Sequence, residues 1–429
     1  MSGASRTVRT GDLLDIEIAT SCRGCDAGGL EVILSLGEMP LANALPTLEQ
    51  LNDPEARYPL DVAFCAGCGL VQLTASVPPE ALFSDYPYYS SYSDAVVDNA
   101  RRLVRRVIGE RRLGPTSLAI EIASNDGYLL QHYVRAGVRV LGIDPAANIA
   151  PAAEALGVPT LCAFFGEELA DDLRAAGYRA DALHAHNVLA HVPQLDDVLR
   201  GIARILADDG VAVIETPYVG DLVQALEFDT IYHEHLFYYS LTSLDAALRR
   251  NGLHAVDVER IPLHGGSLRV LAARDGAGAH SPAAAGLLAS EARAGMASAA
   301  YYRGFAGRVA TLCDELRDLL GGLKSRGSSI AAYGAAAKGA TLLNAAELPD
   351  GTLDFVADRS PHKQGRYMPG VHLPIVAPDR LLEAMPEYLL LLAWNHAEEI
   401  VLQQAEYERR GGRFIVPVPV PRVMERTEV

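Results

Sequence analysis

A chain of 429 residues, 49% hydrophobic and 21% charged, is long enough to bury two or three cores. Its formal net charge of −17 repels phosphate backbones and excludes non-specific nucleic-acid binding. No run of about 18 apolar residues is present, which excludes a helical membrane span. Residues 1–10 are polar, so no secretory signal is expected and a cytoplasmic location is.

Six cysteines are present. Cys162 and Cys313 stand alone in apolar or helical contexts and read as buried core. The others form two pairs, Cys22-Arg-Gly-Cys25 and Cys65-Ala-Gly-Cys68. In a reducing compartment such pairs read as metal ligands. The glycine inside each pair permits the knuckle turn that aims both sulfurs at one ion. Four thiolates suit tetrahedral Zn²⁺ and leave no open position, so the site is structural. Pro40, Pro46, Pro54 and Pro59 predict a mostly irregular chain between the knuckles, ordered by the metal. The sequence after the second knuckle, 69–74, reads as a strand. Together these features predict a zinc-binding module over residues 1–80.

Phe83 to Ser93 follows, with Tyr86, Tyr88, Tyr89 and Tyr92 among serines. Pro87 breaks any helix there. The strip reads either as a linker or as a lid whose phenols face a ligand. A helix is predicted from Ser93, as N-cap, to just before Gly114.

Residues 117–123 predict a strand, Ser124-Asn125-Asp126-Gly127 a turn, and 128–137 a helix. Residues 138–144 predict a second strand ending on Asp144-Pro145. The segments 181–187, ending on Asn187, and 210–217 continue the alternation, which implies a parallel doubly wound sheet within residues 81–262. Ligands bind at the carboxyl ends of such strands. The first turn lacks Gly-x-Gly-x-x-Gly, and Glu121 and Asp126 would repel a pyrophosphate. They suit a cofactor carrying a cation and hydroxyls, and S-adenosylmethionine fits. Asp144 is placed to accept from ribose hydroxyls. Phe164 and Phe165 either flank the adenine or pack in the core.

Tyr232-His-Glu-His-Leu-Phe-Tyr-Tyr-Ser240 concentrates two imidazoles, a carboxylate and three phenols. Such density is seldom assembled for packing alone. His233 and His235 are two apart, so they do not share a helix face, which argues against a metal site. An extended segment would place Tyr232 and Glu234 on one side and the histidines on the other. A turn would bring Glu234 to His235, and the sequence leaves both open. His191 follows the predicted strand 181–187 at the carboxyl edge.

Residues 263–429 predict a second α/β unit. Residues 276–286, rich in Ala and Gly, read as a flexible surface stretch, followed by helices to about residue 324. Residues 329–344 predict strand, small-residue turn and helix, with Lys338 in place of acids. Backbone donors at a helix start beside a lysine suit an anion. Arg359, Lys363 and Arg366 add positive charge, and a nucleoside diphosphate would be held there. Trp394 ends a strand, where it packs or stacks on a base.

Several of these motifs resemble the deoxysugar C-methyltransferase family over nearly the whole chain. They are the four-cysteine module, Glu121-Ile-Ala-Ser-Asn-Asp-Gly127 with Asp144-Pro145, the strip 86–93, Ala190-His-Val-Pro193, Tyr232-His-Glu-His235 and Gly265-Gly-Ser-Leu-Arg269. The resemblance implies an α/β protein with three parts: an N-terminal zinc-binding module, a central Rossmann-like methyltransferase domain and a C-terminal α/β domain. It implies His235 as the base, surrounded by Tyr232, Glu234, His191 and Tyr86. S-adenosylmethionine is then expected against Glu121, Ala123, Ser124, Asn125, Asp126, Gly127, Asp144, Pro145, Phe164 and Asn187. A nucleoside-diphosphate keto-sugar is expected against Tyr86, Tyr88, Ser90, Tyr92, Lys338, Asn344, Arg359 and Lys363. Ala123 departs from the family, whose members more often carry Gly there.

The expected reaction is C-methylation, at C3, of a nucleotide-linked 4-keto-deoxysugar. A base abstracts the proton next to the ketone and hydroxyl donors hold the enolate oxygen. Methylation of a sugar oxygen or nitrogen, or a non-catalytic scaffold, are the competing readings. A monomer or small homo-oligomer is expected, with no nucleic-acid or membrane partner.

Overall fold

Leu118–Ile122 carries four apolar residues in five and is buried at every position. Burial on both faces is what a parallel strand covered by helices requires. In the computed structural model, which describes residues 5–8, 16–79, 82, 89–276 and 278–425, this strand lies inside a seven-stranded sheet. The order is Leu253–Ile261, Ser267–Arg274, Leu206–Pro217, Ala180–His186, Leu118–Ile122, Arg139–Ile143 and Thr160–Leu161. The last five strands run parallel, and the first two form an antiparallel hairpin against them. The expected doubly wound sheet is therefore present.

The helix Asp94–Arg111 begins where predicted, with the Ser93 hydroxyl accepting from the Val96 N–H (3.4 Å). It buries Ala100, Leu103, Val104 and Val107, one face at helical spacing, against Leu129, Tyr133 and Ala119.

A second sheet of six strands orders Ile375–Val376, Val356–Ala357, Ile330–Tyr333, Tyr388–Leu391, Arg413–Val416 and Arg422–Val423, parallel except for the last. This is the expected C-terminal α/β unit. The stretch 276–286 is shorter as a loop than expected, because Ser281 caps the helix Pro282–Ala294 by accepting from Ala284 N–H. Ser-Pro at N-cap and N1 was the overlooked start signal.

The chain between the knuckles is not irregular. Glu31–Pro40 pairs antiparallel with Arg57–Phe64, which pairs with Val71–Leu73. The prolines are tolerated for local reasons. Glu31–Pro40 is an edge strand, and Pro59 sits opposite Glu38, where the register slips past Ser35. The fourth strand of this sheet is Phe237–Tyr238, from the polar cluster itself. The N-terminal module thus completes its sheet with a segment nearly 170 residues downstream in numbering, pairing Tyr238 with Val71.

One apolar cluster runs through all three parts, from Leu34 and Phe64 through Ile214 and Phe237 to Leu312 and Leu390. Phe64 meets Tyr302 of the C-terminal part at 5.2 Å between ring centres. Cys313 is buried, as read, whereas Cys162 is exposed. Among the described residues no helix is long and apolar enough to cross a membrane.

Candidate active site

The polar cluster forms a turn, closed by the His235 N–H donating to the Tyr232 carbonyl (2.8 Å). The turn brings Tyr232, not Glu234, onto His235. Their ring centres are 4.1 Å apart and the phenol oxygen is 2.9 Å from Nε2. Nδ1 lies 2.8 Å from the Thr230 carbonyl oxygen. A carbonyl can only accept, so Nδ1 carries the proton, and in the neutral ring Nε2 presents its lone pair. Tyr232 donates to it. This is the tautomer a general base needs.

His191 is set edge-on to His235, with ring centres 4.8 Å apart. Burial pushes its pKa down to about 4, so it stays neutral near pH 7. The segment 187–191 is tied to the cluster, since Ala190 O accepts from Leu236 N–H (2.6 Å) and Tyr239 donates to Leu189 O (2.9 Å).

Glu234 turns away from the imidazole. Its Oε1 accepts from Asn43 Nδ2 (2.6 Å), a side chain of the N-terminal module. Burial pushes its carboxyl up to about 7, against the opposing pull of Asn43 and of Lys363. The imidazole is therefore oriented by a backbone carbonyl rather than by an acid. His233 is buried against Tyr58, with Nε2 donating to the Tyr58 carbonyl at 3.2 Å, and packs as core.

The carboxyl edge of the seven-stranded sheet holds the acid-rich turn. Asp144 accepts from the N–H groups of Asn125 and Ala146 (2.8 Å each). Asn125 and Asp126 accept from the N–H groups of Ser90 (2.9 Å) and Ser91 (3.1 Å), so the tyrosine strip is fastened over this turn. Tyr89 in turn stacks on His362 of the C-terminal part, with ring centres 6.2 Å apart. Gly127 has φ 77, and a Cβ there would come within 3.2 Å of Ala153. Ala123 has φ 53, a left-handed conformation, which is why glycine is the easier residue at that position. Pro145 is half-buried beside Asp144, Phe164 is exposed and Phe165 is buried core.

Several polar atoms here are buried without a partner among the described residues: both oxygens of Glu121, Ser124 Oγ, Asp126 Oδ1 and Asn187 Oδ1. Native proteins rarely leave such groups orphaned unless a ligand completes them. All of these oxygens can accept, which fits a cationic, donor-rich ligand. The neighbouring Glu215 carboxylate is already paired. Burial alone would raise it, but His186 (2.9 Å) and Arg269 (2.5 Å) outweigh this and hold it at about 2.

Burial, with Asp144, Asp126 and Glu215 nearby, keeps the Glu121 carboxyl well above the ordinary range. A carboxyl whose folded pKa is raised stabilises the fold below its unfolded pKa of about 4.3, and that contribution is lost as pH rises. Glu121→Gln removes the dependence. The melting-temperature gain of cofactor-free Glu121→Gln over the parent should therefore grow from about pH 5.5 to about pH 8.5. Scanning fluorimetry checks this, and a gap that stays flat or shrinks would contradict it.

The four paired cysteines converge, with all four sulfurs within 4.8 Å of one another. Cys22–Cys68 and Cys25–Cys65 Sγ–Sγ distances are 3.6 Å. A tetrahedron with Zn–S of about 2.3 Å has edges of about 3.8 Å, so the set fits zinc. Burial pushes the Cys65 thiol up to about 11, whereas the Cys68 thiol pulls the neighbouring Cys22 down to about 5, and a cation among the four sulfurs favours the thiolate form.

C-methyltransferase NovU of Streptomyces niveus is 38% identical over 405 residues, covering 94% of this chain and 96% of its own. The chain belongs to the C-methyltransferase family. Family models agree along its length: "Putative zinc binding domain" over 22–83, "Methyltransferase domain" over 98–258 and "C-methyltransferase C-terminal domain" over 262–419. Solved structures similar to this C-methyltransferase cover less than half of it. One is the magnesium protoporphyrin IX methyltransferase of Synechocystis PCC 6803, at 14% identity and TM-score 0.32 over 42% of this chain and 78% of that one. Another is an S-adenosylmethionine-dependent methyltransferase of Clostridium acetobutylicum, at 13% and 0.35 over 42% and 92%. The protein is an enzyme that transfers a methyl group.

The C-terminal residues of this C-methyltransferase divide into two groups. Lys363 is half-buried, donates to Ala335 O (2.7 Å) and lies within electrostatic reach of Glu234 and Asp358. Arg359 is exposed. Lys338 is turned elsewhere: Nζ donates to Asn395 (3.1 Å), stands 3.7 Å over the Trp394 ring and faces Glu227 and Asp229. Asn344 donates to the Ala340 and Pro369 carbonyls, so it holds a turn. Tyr92 is exposed, and Tyr86 and Tyr88 lie outside the described residues. Thr230 and Asn43 are neighbours of the cluster that the sequence does not single out. Only Asn43, polar within Pro-Leu-Ala-Asn-Ala-Leu-Pro, carried a signal.

Proposed function

We propose that this enzyme methylates carbon, at C3, of a nucleotide-linked 4-keto-deoxysugar, with S-adenosylmethionine as donor. The observation that carries the reading is the His235 tautomer: Nδ1–H on the Thr230 carbonyl and a lone pair on Nε2 beside a phenol. Carbon next to a ketone is a weak acid, so its removal needs a neutral imidazole and a donor for the developing enolate. His235 Nε2 takes the C–H proton. Tyr232, whose hydroxyl is freed once Nε2 is protonated, and neutral His191 would donate to the oxygen. Glu121, Ser124, Asp126 and Asn187, whose orphaned oxygens match a sulfonium, an ammonium and hydroxyls, would hold the cofactor together with Asp144. When bound, the cofactor supplies an electrophilic methyl for the carbanion. Lys363 and Arg359 would receive the diphosphate, and the strip 89–92 would close over both ligands, shedding water. The four cysteines would carry structural zinc.

In D₂O without cofactor, the enzyme should wash deuterium into the carbon next to the ketone of a nucleotide-linked keto-sugar. Methyl transfer without any such exchange would favour a sugar oxygen or nitrogen as acceptor.

A further inference from the structure

We propose that Trp394 and Thr341, both in the C-terminal part, are positioning residues for His235, acting through the turn Phe228–Thr230. The proposal rests on the reading of His235 as the base. It begins with the atom that sets the base. Thr230 O receives the His235 Nδ1–H at 2.8 Å, so the orientation of one peptide decides which ring nitrogen keeps the lone pair. That peptide belongs to a single 3₁₀ turn, too short to hold its own geometry.

The turn is held from outside. On one side Trp394 Nε1 donates to Asp229 Oδ2 (2.6 Å). On the other Thr341 Oγ1 donates to Ile231 O (3.1 Å). The two contacts fall on the residues flanking Thr230. Asp229 is fully buried, and its other oxygen has no partner among the described residues. Burying a carboxyl is expensive, and burial pushes that of Asp229 up while Lys338 and the indole N–H pull it down. Lys338 stabilises the arrangement, lying over the indole at 3.7 Å and within electrostatic reach of Asp229. Trp394 opens the turn Trp394–His396 after the strand Tyr388–Leu391, and Thr341 lies in the helix Ala337–Ala346 after Ile330–Tyr333. These are neighbouring parallel strands, so the carboxyl edge of the C-terminal sheet, usually a ligand edge, is partly committed to the catalytic turn.

If the turn rotates, Nδ1 loses its acceptor and the Nε2–H tautomer, which cannot accept a proton there, becomes populated. Trp394→Phe and Thr341→Val test this in the full-length zinc-loaded enzyme. Deuterium wash-in and kcat should fall together, on the order of 10- to 100-fold, with affinity for S-adenosylhomocysteine unchanged. Nitrogen-15 shifts of labelled histidine, with His235 assigned by its absence in His235→Gln, should move from the Nδ1–H form toward a mixture. Asp229→Asn keeps an acceptor for the indole and should retain most activity, whereas Asp229→Ala should not. Parent wash-in and parent tautomer in Thr341→Val, which removes only a hydroxyl and so is informative even if Trp394→Phe does not fold, would overturn the proposal. Lost activity with the parent tautomer would overturn it equally. Wash-in that survives in His235→Gln would instead refute the base reading itself.

Discussion

Replacing His235 by glutamine should lower methyl transfer on the order of 10²- to 10⁴-fold and abolish deuterium wash-in, with S-adenosylhomocysteine affinity unchanged. Glutamine is close in length and its amide can still donate to the Thr230 carbonyl, so the turn should persist. What it lacks is a nitrogen lone pair that can take a proton near neutral pH. The cofactor residues proposed here lie on other elements, the strand ends after Ile122, Ile143 and His186, and should be undisturbed. Isotope exchange by mass spectrometry and an equilibrium titration measure the two halves separately. A glutamine variant that turns over at the parent rate would remove His235 from the mechanism. Tyr232→Phe should be milder, because His191 remains beside the ring as a second donor.

Removing the zinc, by Cys22→Ser or prolonged chelation, should unfold the N-terminal module and stop methyl transfer together. Structural zinc contributes about 10–16 kcal/mol of binding free energy in zinc-finger peptides. Here the shared apolar cluster offsets part of that loss, so a fall in melting temperature of about 10 °C or more is expected. Activity is lost for a geometric reason. Val71–Leu73, just past the second knuckle, lies between Arg57–Phe64 and Phe237–Tyr238, and Leu73 N–H donates to Leu236 O at 2.8 Å. Disorder at the metal therefore reaches the residue adjoining His235, and Asn43 is released from Glu234 at the same time. Metal analysis paired with activity decides this, and metal-free protein with parent turnover would break the link.

The pieces whose physics is local are legible in the amino-acid order. Two Cys-x-x-Cys knuckles admit one tetrahedral ion, and their sulfurs converge as read. The apolar runs 117–123 and from 329 predict strands, and Leu118–Ile122 and Ile330–Tyr333 are strands buried throughout. An acid-rich first turn predicts a cationic ligand, and Glu121 and Asp126 are left with orphaned oxygens there.

The partition of work within Tyr232 to His235 was decided only by tertiary structure. Whether that segment is extended or turned depends on what grips its ends, and those grips come from far away: Asn43 on Glu234, Tyr58 on His233, Thr341 on Ile231 and Trp394 on Asp229. None has a periodicity or a spacing to read. The strand Phe237–Tyr238 is likewise too short to announce itself, and it exists because the N-terminal sheet has an edge to complete. The residue types are a local choice, but the tautomer of His235 follows from a carbonyl whose direction the rest of the molecule sets.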